Sequence, residues 1–357
     1  MTRIAVISSS AKVYNLAVDK IGYYHRALGD EVYMGKWRPL LLSDFDKFYF
    51  SVIFTSDIPQ LIGAVNHVRD WGKEVEIGGP AATFMPAYIH AHTGVWPHIG
   101  LDPRFEHVKG DYLATFTSRG CIRKCAWCGV KDVEPELVEY DKFSLAPMIL
   151  DNSLLSTSWE HQELVVNKVV NYRAIDINSG FDVRVFEEKH FKLYARLNLT
   201  CWRFAFDDMK VEADVRRVAE IMRAHRLDRH HVTVYCLIGF PGTTPEECLH
   251  RLNTIIQLGL NPYPMRFCLL NSTDRKYVAP GWTEHRLSKM QTFYQTRNLW
   301  MADSWENFKP GKDRQSDPVS KQFSHAPACR ALSALLSPMG VPNREGRQGR
   351  MDGGWTG

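Results

Sequence analysis

A chain of 357 residues with 45% hydrophobic and 24% charged residues has apolar material for about two domains, and its mixed composition sets aside a disordered or fibrous protein. No apolar run approaches ~18 residues, which sets aside a membrane-spanning helix. The formal charge of +4 lies entirely beyond Phe308, where eight Lys and Arg face four Asp and Glu, while the remainder is balanced at 36 of each sign.

At the start, Met1-Thr-Arg runs directly into Ile4-Ala-Val-Ile7, too short a run for a signal peptide, so a cytoplasmic protein is expected. Residues 3–8, 31–34, 48–54 and 74–77 read as strands. Between them lie helical stripes: Leu16, Ile21, Tyr24 and Leu28, closed by Gly29, and Ile58, Leu61, Val65 and Val68, with Asp57 as the N-cap. Strands alternating with helices predict a doubly wound α/β domain over residues 1–95. Residues 96–110, with Pro97, Gly100, Pro103 and Gly110, read as a linker.

From 111 to 275 a second alternating series follows, with strands expected at 111–117, 147–151, 174–178, 202–207, 232–238 and 264–270. Thr244-Pro245-Glu246-Glu247 is a capping box with proline at the first helical position, and Gly259 closes that helix. Residues 276–308, with Leu287, Met290, Phe293, Tyr294 and Trp300, suggest a helix packed on this core. Residues 309–357 read as a basic tail, where Arg344, Arg347 and Arg350 offer a weak nucleic-acid footing.

The chemistry concentrates in Tyr112-Leu-Ala-Thr-Phe-Thr-Ser-Arg-Gly-Cys121-Ile-Arg-Lys-Cys125-Ala-Trp-Cys128-Gly129. Three cysteines at C-x3-C-x2-C supply three thiolates to a metal and leave one position open, the arrangement of a reactive rather than a purely structural centre. The remaining cysteines do not form a disulfide scaffold. Cys201, Cys236, Cys248 and Cys268 read as buried thiols, and Cys329 stands in the tail.

The spacing, Trp127 before the third cysteine and the preceding Thr-Ser-Arg-Gly resemble the radical S-adenosylmethionine superfamily. The resemblance implies a partial (β/α)6 barrel and a [4Fe-4S] cluster held by Cys121, Cys125 and Cys128. It further implies S-adenosylmethionine on the open iron, cleaved reductively to a 5'-deoxyadenosyl radical, and an electron donor of flavodoxin or ferredoxin type. Tyr235-Cys-Leu-Ile-Gly239-Phe-Pro241-Gly242-Thr-Thr resembles the superfamily's turn against adenine, which implicates Gly239 and, beside the cysteines, Trp127. Asp151 and Asn152 end strand two, where the methionine amino group is received. Arg184 after strand three and Asp207 and Asp208 after strand four stand where relatives face the carboxylate and ribose. The alternatives are a surface ion pair for Arg184 and a helix N-cap for either aspartate.

Val75-Glu-Ile-Gly-Gly-Pro-Ala-Ala-Thr83 resembles the cobalamin-binding-type domain ahead of many such barrels. The cobalt-ligating Asp-x-His-x-x-Gly signature occurs nowhere in the chain. The domain is therefore expected to hold substrate or brace the barrel, the other reading being cobalamin bound without that ligand. No cysteine precedes Cys121, which argues against the methylthiotransferase subgroup. The expectation is a radical enzyme acting on an unidentified substrate, methyl transfer being one variant. The competing readings are a degenerate barrel that binds S-adenosylmethionine without cleaving it, and a non-catalytic zinc- or cluster-binding module, possibly nucleic-acid associated. In the latter, His107, His161 or Cys201 completes a structural zinc.

Overall fold

The structure is a computed structural model and describes residues 1–10, 13–295 and 304–308. Trp300, Cys329 and the arginines of the basic tail lie outside the described residues. Strands β1 (Arg3–Ser8), β2 (Glu31–Gly35), β3 (Lys47–Ser51) and β4 (Glu74–Gly78) form a parallel sheet in the order β2-β1-β3-β4. Between them run helices α1 (Leu16–Ala27), α2 (Pro39–Leu42) and α3 (Ile58–Asp70), and β4 is followed by α4 (Pro80–Phe84) and α5 (Pro86–Thr93).

Alternation along β1 explains why both faces are covered. Ala5 and Ile7 pack with Phe48, Phe50 and the Leu61, Val65 and Val68 stripe of α3, while Ile4 and Val6 pack with Val18 and Ile21 of α1. Gly79 holds φ +105°, and a Cβ there would lie 2.4 Å from the Val52 carbonyl oxygen, so the Gly-Gly-Pro turn requires glycine at this position. Asp57 does not cap α3 through its side chain. It accepts a 2.6 Å hydrogen bond from the Ser10 hydroxyl instead and ties the ends of β1 and β3 together.

The expected linker is not featureless. It forms a helical turn, α6 (Pro103–Glu106), capped by Asp102, and its Phe105 is buried edge-on against Tyr24 and Tyr49. Pro97, Gly100 and Pro103 signal a connector, but one large apolar side chain secures it to the first sheet.

The second series supplies six parallel strands: β5 (Ala114–Thr115), β8 (Met148–Ile149), β9 (Asp176–Ile177), β10 (Trp202–Ala205), β11 (Val232–Ile238) and β12 (Asn261–Arg266). They form two three-stranded sheets, β5-β8-β9 and β10-β11-β12. Helices α8 (Trp159–Val169), α9 (Glu188–Tyr194), α10 (Glu212–Ala224), α11 (Pro245–Gln257) and α12 (Glu284–Gln295) share one apolar core with β8, β9, β10 and β11. The expected capping box holds, with Thr244 and Glu247 each accepting the other's backbone N–H.

The sixth strand starts at Asn261 rather than 264. Pro262 and Pro264, which read as strand breakers, are tolerated because among the described residues β12 pairs only with β11 and is an edge. Leu287, Met290, Phe293 and Tyr294 of α12 are buried as expected. Cys201, Cys236 and Cys248 are buried, whereas Cys268 is half-buried. Among the described residues no helix is long and apolar enough to cross a membrane.

Between β9 and β10 the ladder lapses to a single bridge, Ile175 with Leu199. Side chains close the seam: the Arg203 guanidinium grips the Asp176 carboxylate and donates to the Ile177 carbonyl oxygen at 3.2 Å, with both partners almost wholly buried. Removing one partner strands the other charge. Arg203→Ala or Asp176→Ala is expected to cost about 3–5 kcal/mol, whereas Arg203→Met combined with Asp176→Leu costs much less, as read from denaturant midpoints.

Candidate active site

The cysteine loop is bracketed by strands that the sequence reading did not separate. After β5 the chain turns into β6 (Ser118–Arg119), which pairs antiparallel with β7 (Val138–Glu139), and the three cysteines lie between them with the short helix α7 (Val130–Val133). The loop thus leaves and rejoins one two-stranded clamp at the carboxyl end of the first barrel strand, the end where barrel enzymes place their chemistry.

Gly120 opens the loop at φ +79°, and a Cβ there would lie 1.9 Å from the Glu136 carbonyl oxygen, so only glycine lets the two arms pass. Its N–H donates to Asn152 Oδ1 at 2.8 Å, and Arg119 pairs with Glu134 at 2.9 Å across the same clamp. Cys121, Cys125 and Cys128 are free and half-buried. The Cys121 sulfur accepts the Arg123 backbone N–H at 3.3 Å, and the Cys128 N–H closes a turn onto the Cys125 carbonyl oxygen at 3.2 Å. Burial pushes the Cys128 thiol up, and the neighbouring Cys125 and Cys121 thiols add to the effect.

Among the described residues no three His, Cys, Asp or Glu side chains stand in a metal-holding arrangement. The thiols share a loop without closing into a ligand cage. The donor set nevertheless fits a thiolate-ligated cluster: three free soft ligands and an N–H···S bond that favours a charged sulfur. The alternatives considered for a fourth zinc ligand are engaged elsewhere. His107 lies edge-on to Tyr140, the His161 ring faces the Thr117 hydroxyl at 3.3 Å, and the Cys201 sulfur faces the Thr233 hydroxyl at 3.6 Å.

Trp127 meets Phe240 edge-on at 5.6 Å, so the two sequence motifs, separated by about a hundred residues, touch. Gly239 ends β11 at φ +75°, and a Cβ there would lie 2.7 Å from the Leu287 side chain, so its close neighbour here is α12. Arg184 donates to Asp182 at 2.7 Å, an ion pair that together with the nearby Cys125 thiol raises its guanidinium pKa against the opposing effect of burial. Asp207, at the end of β10, accepts the Leu237 N–H at 2.7 Å; burial raises its carboxyl, opposed by Arg251 and Arg184.

Three of the residues expected to contact the cofactor are bonded within the protein. Asp151 is fully buried and spends its carboxylate on the Thr117 N–H at 2.6 Å, the Thr117 hydroxyl and the Ser118 hydroxyl at 2.9 Å, tying β8 to the start of the clamp. Asn152 supports Gly120. Asp208 caps the turn at Met209–Val211 by accepting the Lys210 N–H, as a helix N-cap does. Two groups escaped the sequence reading, Asp182 and Arg123, which meet at 3.0 Å. The signal was the Asp-x-Arg spacing at 182–184, in which aspartate accepts the N–H two residues on.

A cleft of about 220 Å³ separates the loop from the first sheet, walled by Phe84, Trp127, Cys128, Phe267 and Leu270. A Cβ on Gly129 would lie 2.4 Å from the Phe84 ring, so α4 rests directly on the cysteine loop.

Gly120→Ala is expected to lower the melting temperature well beyond Gly242→Ala. The latter shares the positive φ, meets nothing within 4 Å and costs about 1 kcal/mol, a contrast that calorimetry reads directly. Burial raises the Asp151 carboxyl above its ordinary range, so its contribution to stability is present at low pH and lost as pH climbs through the raised value. In Asp151→Asn that pH-dependent loss disappears, so the stability of the natural protein relative to the variant falls as pH rises past about 4, read from urea midpoints across pH.

No family model matches the chain, and no curated protein matches it. Solved structures do. TsrM from Kitasatospora setae, a radical S-adenosylmethionine methyltransferase solved with cobalamin and a [4Fe-4S] cluster bound, aligns at a TM-score of 0.55 and 13% identity over 75% of this chain and 76% of that one. The same protein with tryptophan substrate and the analogue aza-SAM aligns at 0.56 and 11% identity over 75% and 73%. Over three quarters of its length the chain shares the fold of those structures, here a doubly wound parallel α/β domain ahead of six parallel strands and their helices.

Proposed function

We propose that the protein is a radical S-adenosylmethionine enzyme whose cluster is held by Cys121, Cys125 and Cys128. The observation that carries this reading is the convergence of a three-cysteine loop and the Gly239 turn, joined through Trp127 and Phe240, at the carboxyl ends of six parallel strands. A [4Fe-4S] cluster bound there supplies the electron that splits the sulfonium of S-adenosylmethionine into methionine and a 5'-deoxyadenosyl radical.

The chain's own residues bind and shield. The Arg184 guanidinium is suited to grip the methionine carboxylate, since a planar fork matches a carboxylate with two parallel hydrogen bonds. Asp207 offers an acceptor for a ribose hydroxyl. Trp127 and Phe240 form an apolar pair that would help keep water from a cluster held by the loop, and an aromatic pair of this kind contributes about 0.5–1.5 kcal/mol beyond its buried area. Reduction requires an electron donor of flavodoxin or ferredoxin type.

Methyl transfer is the narrower variant favoured by the likeness to TsrM, whose structures carry tryptophan and cobalamin. No step is assigned to cobalamin. The first sheet is read instead as a brace that seats Phe84 against the loop.

Protein reconstituted anaerobically with iron and sulfide should convert S-adenosylmethionine to 5'-deoxyadenosine when given dithionite, and each of Cys121→Ala, Cys125→Ala and Cys128→Ala should abolish the product. A fully loaded cluster that yields none would defeat the reading. One zinc per chain after anaerobic isolation, with no brown absorbance, would favour the non-catalytic metal module.

A further inference from the structure

Around the cysteine loop two guanidiniums converge on one carboxylate. Asp182 follows the third barrel strand. Its Oδ2 accepts Arg123 Nε at 3.0 Å, and its Oδ1 accepts both the backbone N–H of Arg184 at 3.0 Å and Arg184 Nε at 2.7 Å. Arg123 lies inside the loop, between Cys121 and Cys125, so its bond to Asp182 is a direct side-chain strut from the loop to the far half of the sheet β5-β8-β9. Arg184 lies beyond that strand, and the Cys125 thiol is among the groups that raise its guanidinium pKa. Asp182 is only 10% exposed in its side chain, against 31% for Arg123 and 36% for Arg184. The carboxylate is therefore the fixed member and the two cations are held to it. One negative charge against two positive ones leaves the site with a net positive charge beside the thiols, suited to an anionic group.

We propose that Asp182 is a positioning residue with two outputs: through Arg123 it fixes the cysteine loop, and through Arg184 it fixes the guanidinium that receives a carboxylate next to Cys125. The proposal rests on the reading of the loop as a cluster site and adds a partition of labour that the reading itself does not contain. Arg123 governs how firmly the loop is held, Arg184 governs how tightly an anion is held, and Asp182 governs both. A purely structural aspartate would instead lower overall stability without separating the two.

The test uses the full chain and four variants: Arg123→Gln, Arg184→Gln, Asp182→Asn and Asp182→Glu. In apo-protein, deuterium exchange over residues 119–130 should quicken in Arg123→Gln and Asp182→Asn and stay unchanged in Arg184→Gln. In reconstituted protein, loss of the brown absorbance to a chelator should quicken several-fold in the same two variants. S-adenosylmethionine binding, read by the change in the electron paramagnetic resonance spectrum of the reduced cluster, should weaken roughly tenfold in Arg184→Gln and Asp182→Asn and hold within about twofold in Arg123→Gln. Asp182→Glu should restore part of both.

Asp182→Asn that moves neither readout, or only one, overturns the proposal. If Asp182→Asn does not fold, the double variant Arg123→Gln with Arg184→Gln decides: both defects must appear in it, and their absence is equally fatal. If the natural protein takes up no cluster, the catalytic reading fails, while the apo exchange experiment still passes or fails the strut from Asp182 to Arg123.

Discussion

The seam between β9 and β10 governs the layout of the second half of the chain. Parallel strands align their carboxyl ends only while they remain neighbours, and here the backbone contributes one bridge between the two three-stranded sheets. The buried pair of Arg203 and Asp176 spans the gap with charge-assisted hydrogen bonds and a further bond to the Ile177 carbonyl oxygen. Because the pair lies in the dry interior, its geometry is strongly specified even where its net contribution to stability is small. With the seam closed, the loops after the first, third, fourth and fifth strands share one rim, and Cys125, Arg184, Asp207 and Gly239 occupy a single neighbourhood.

Within that neighbourhood the polar groups divide by depth. Asp151, beneath the rim, is consumed by Thr117 and Ser118 and serves as a buried tie. Asn152 holds Gly120 in its left-handed turn. Arg123, Asp182 and Arg184, at the rim, remain partly exposed and carry an unbalanced charge. The same residue types thus act as scaffold below and as candidate ligand contacts above, with burial deciding which.

Much of this was legible because its signals are local. The cysteine spacing, the Gly239 turn, the Thr244 capping box and the apolar run of β1 are each encoded within about ten residues. What the sequence concealed depends on partners far along the chain. The β6–β7 clamp joins segments about twenty residues apart through two-residue strands too short to show a period. Phe105 looks like part of a connector until the first sheet covers it. Asp151, Asp207 and Asp208 are indistinguishable as aspartates at strand ends, and only the groups opposite them separate a buried tie, a rim carboxylate and an N-cap. The prolines of β12 mislead because edge position is a property of the sheet and not of the strand.

Phe84 has a mechanical consequence. Its ring lies against Gly129, one residue past the last cysteine, at a distance no added methyl would tolerate. The first sheet therefore forms the floor on which the sulfur-bearing loop rests. Phe84 also shares the wall of the 220 Å³ cleft with Cys128, so α4 bears on the sulfur-bearing loop from the residue after the last cysteine and from the cleft beside it.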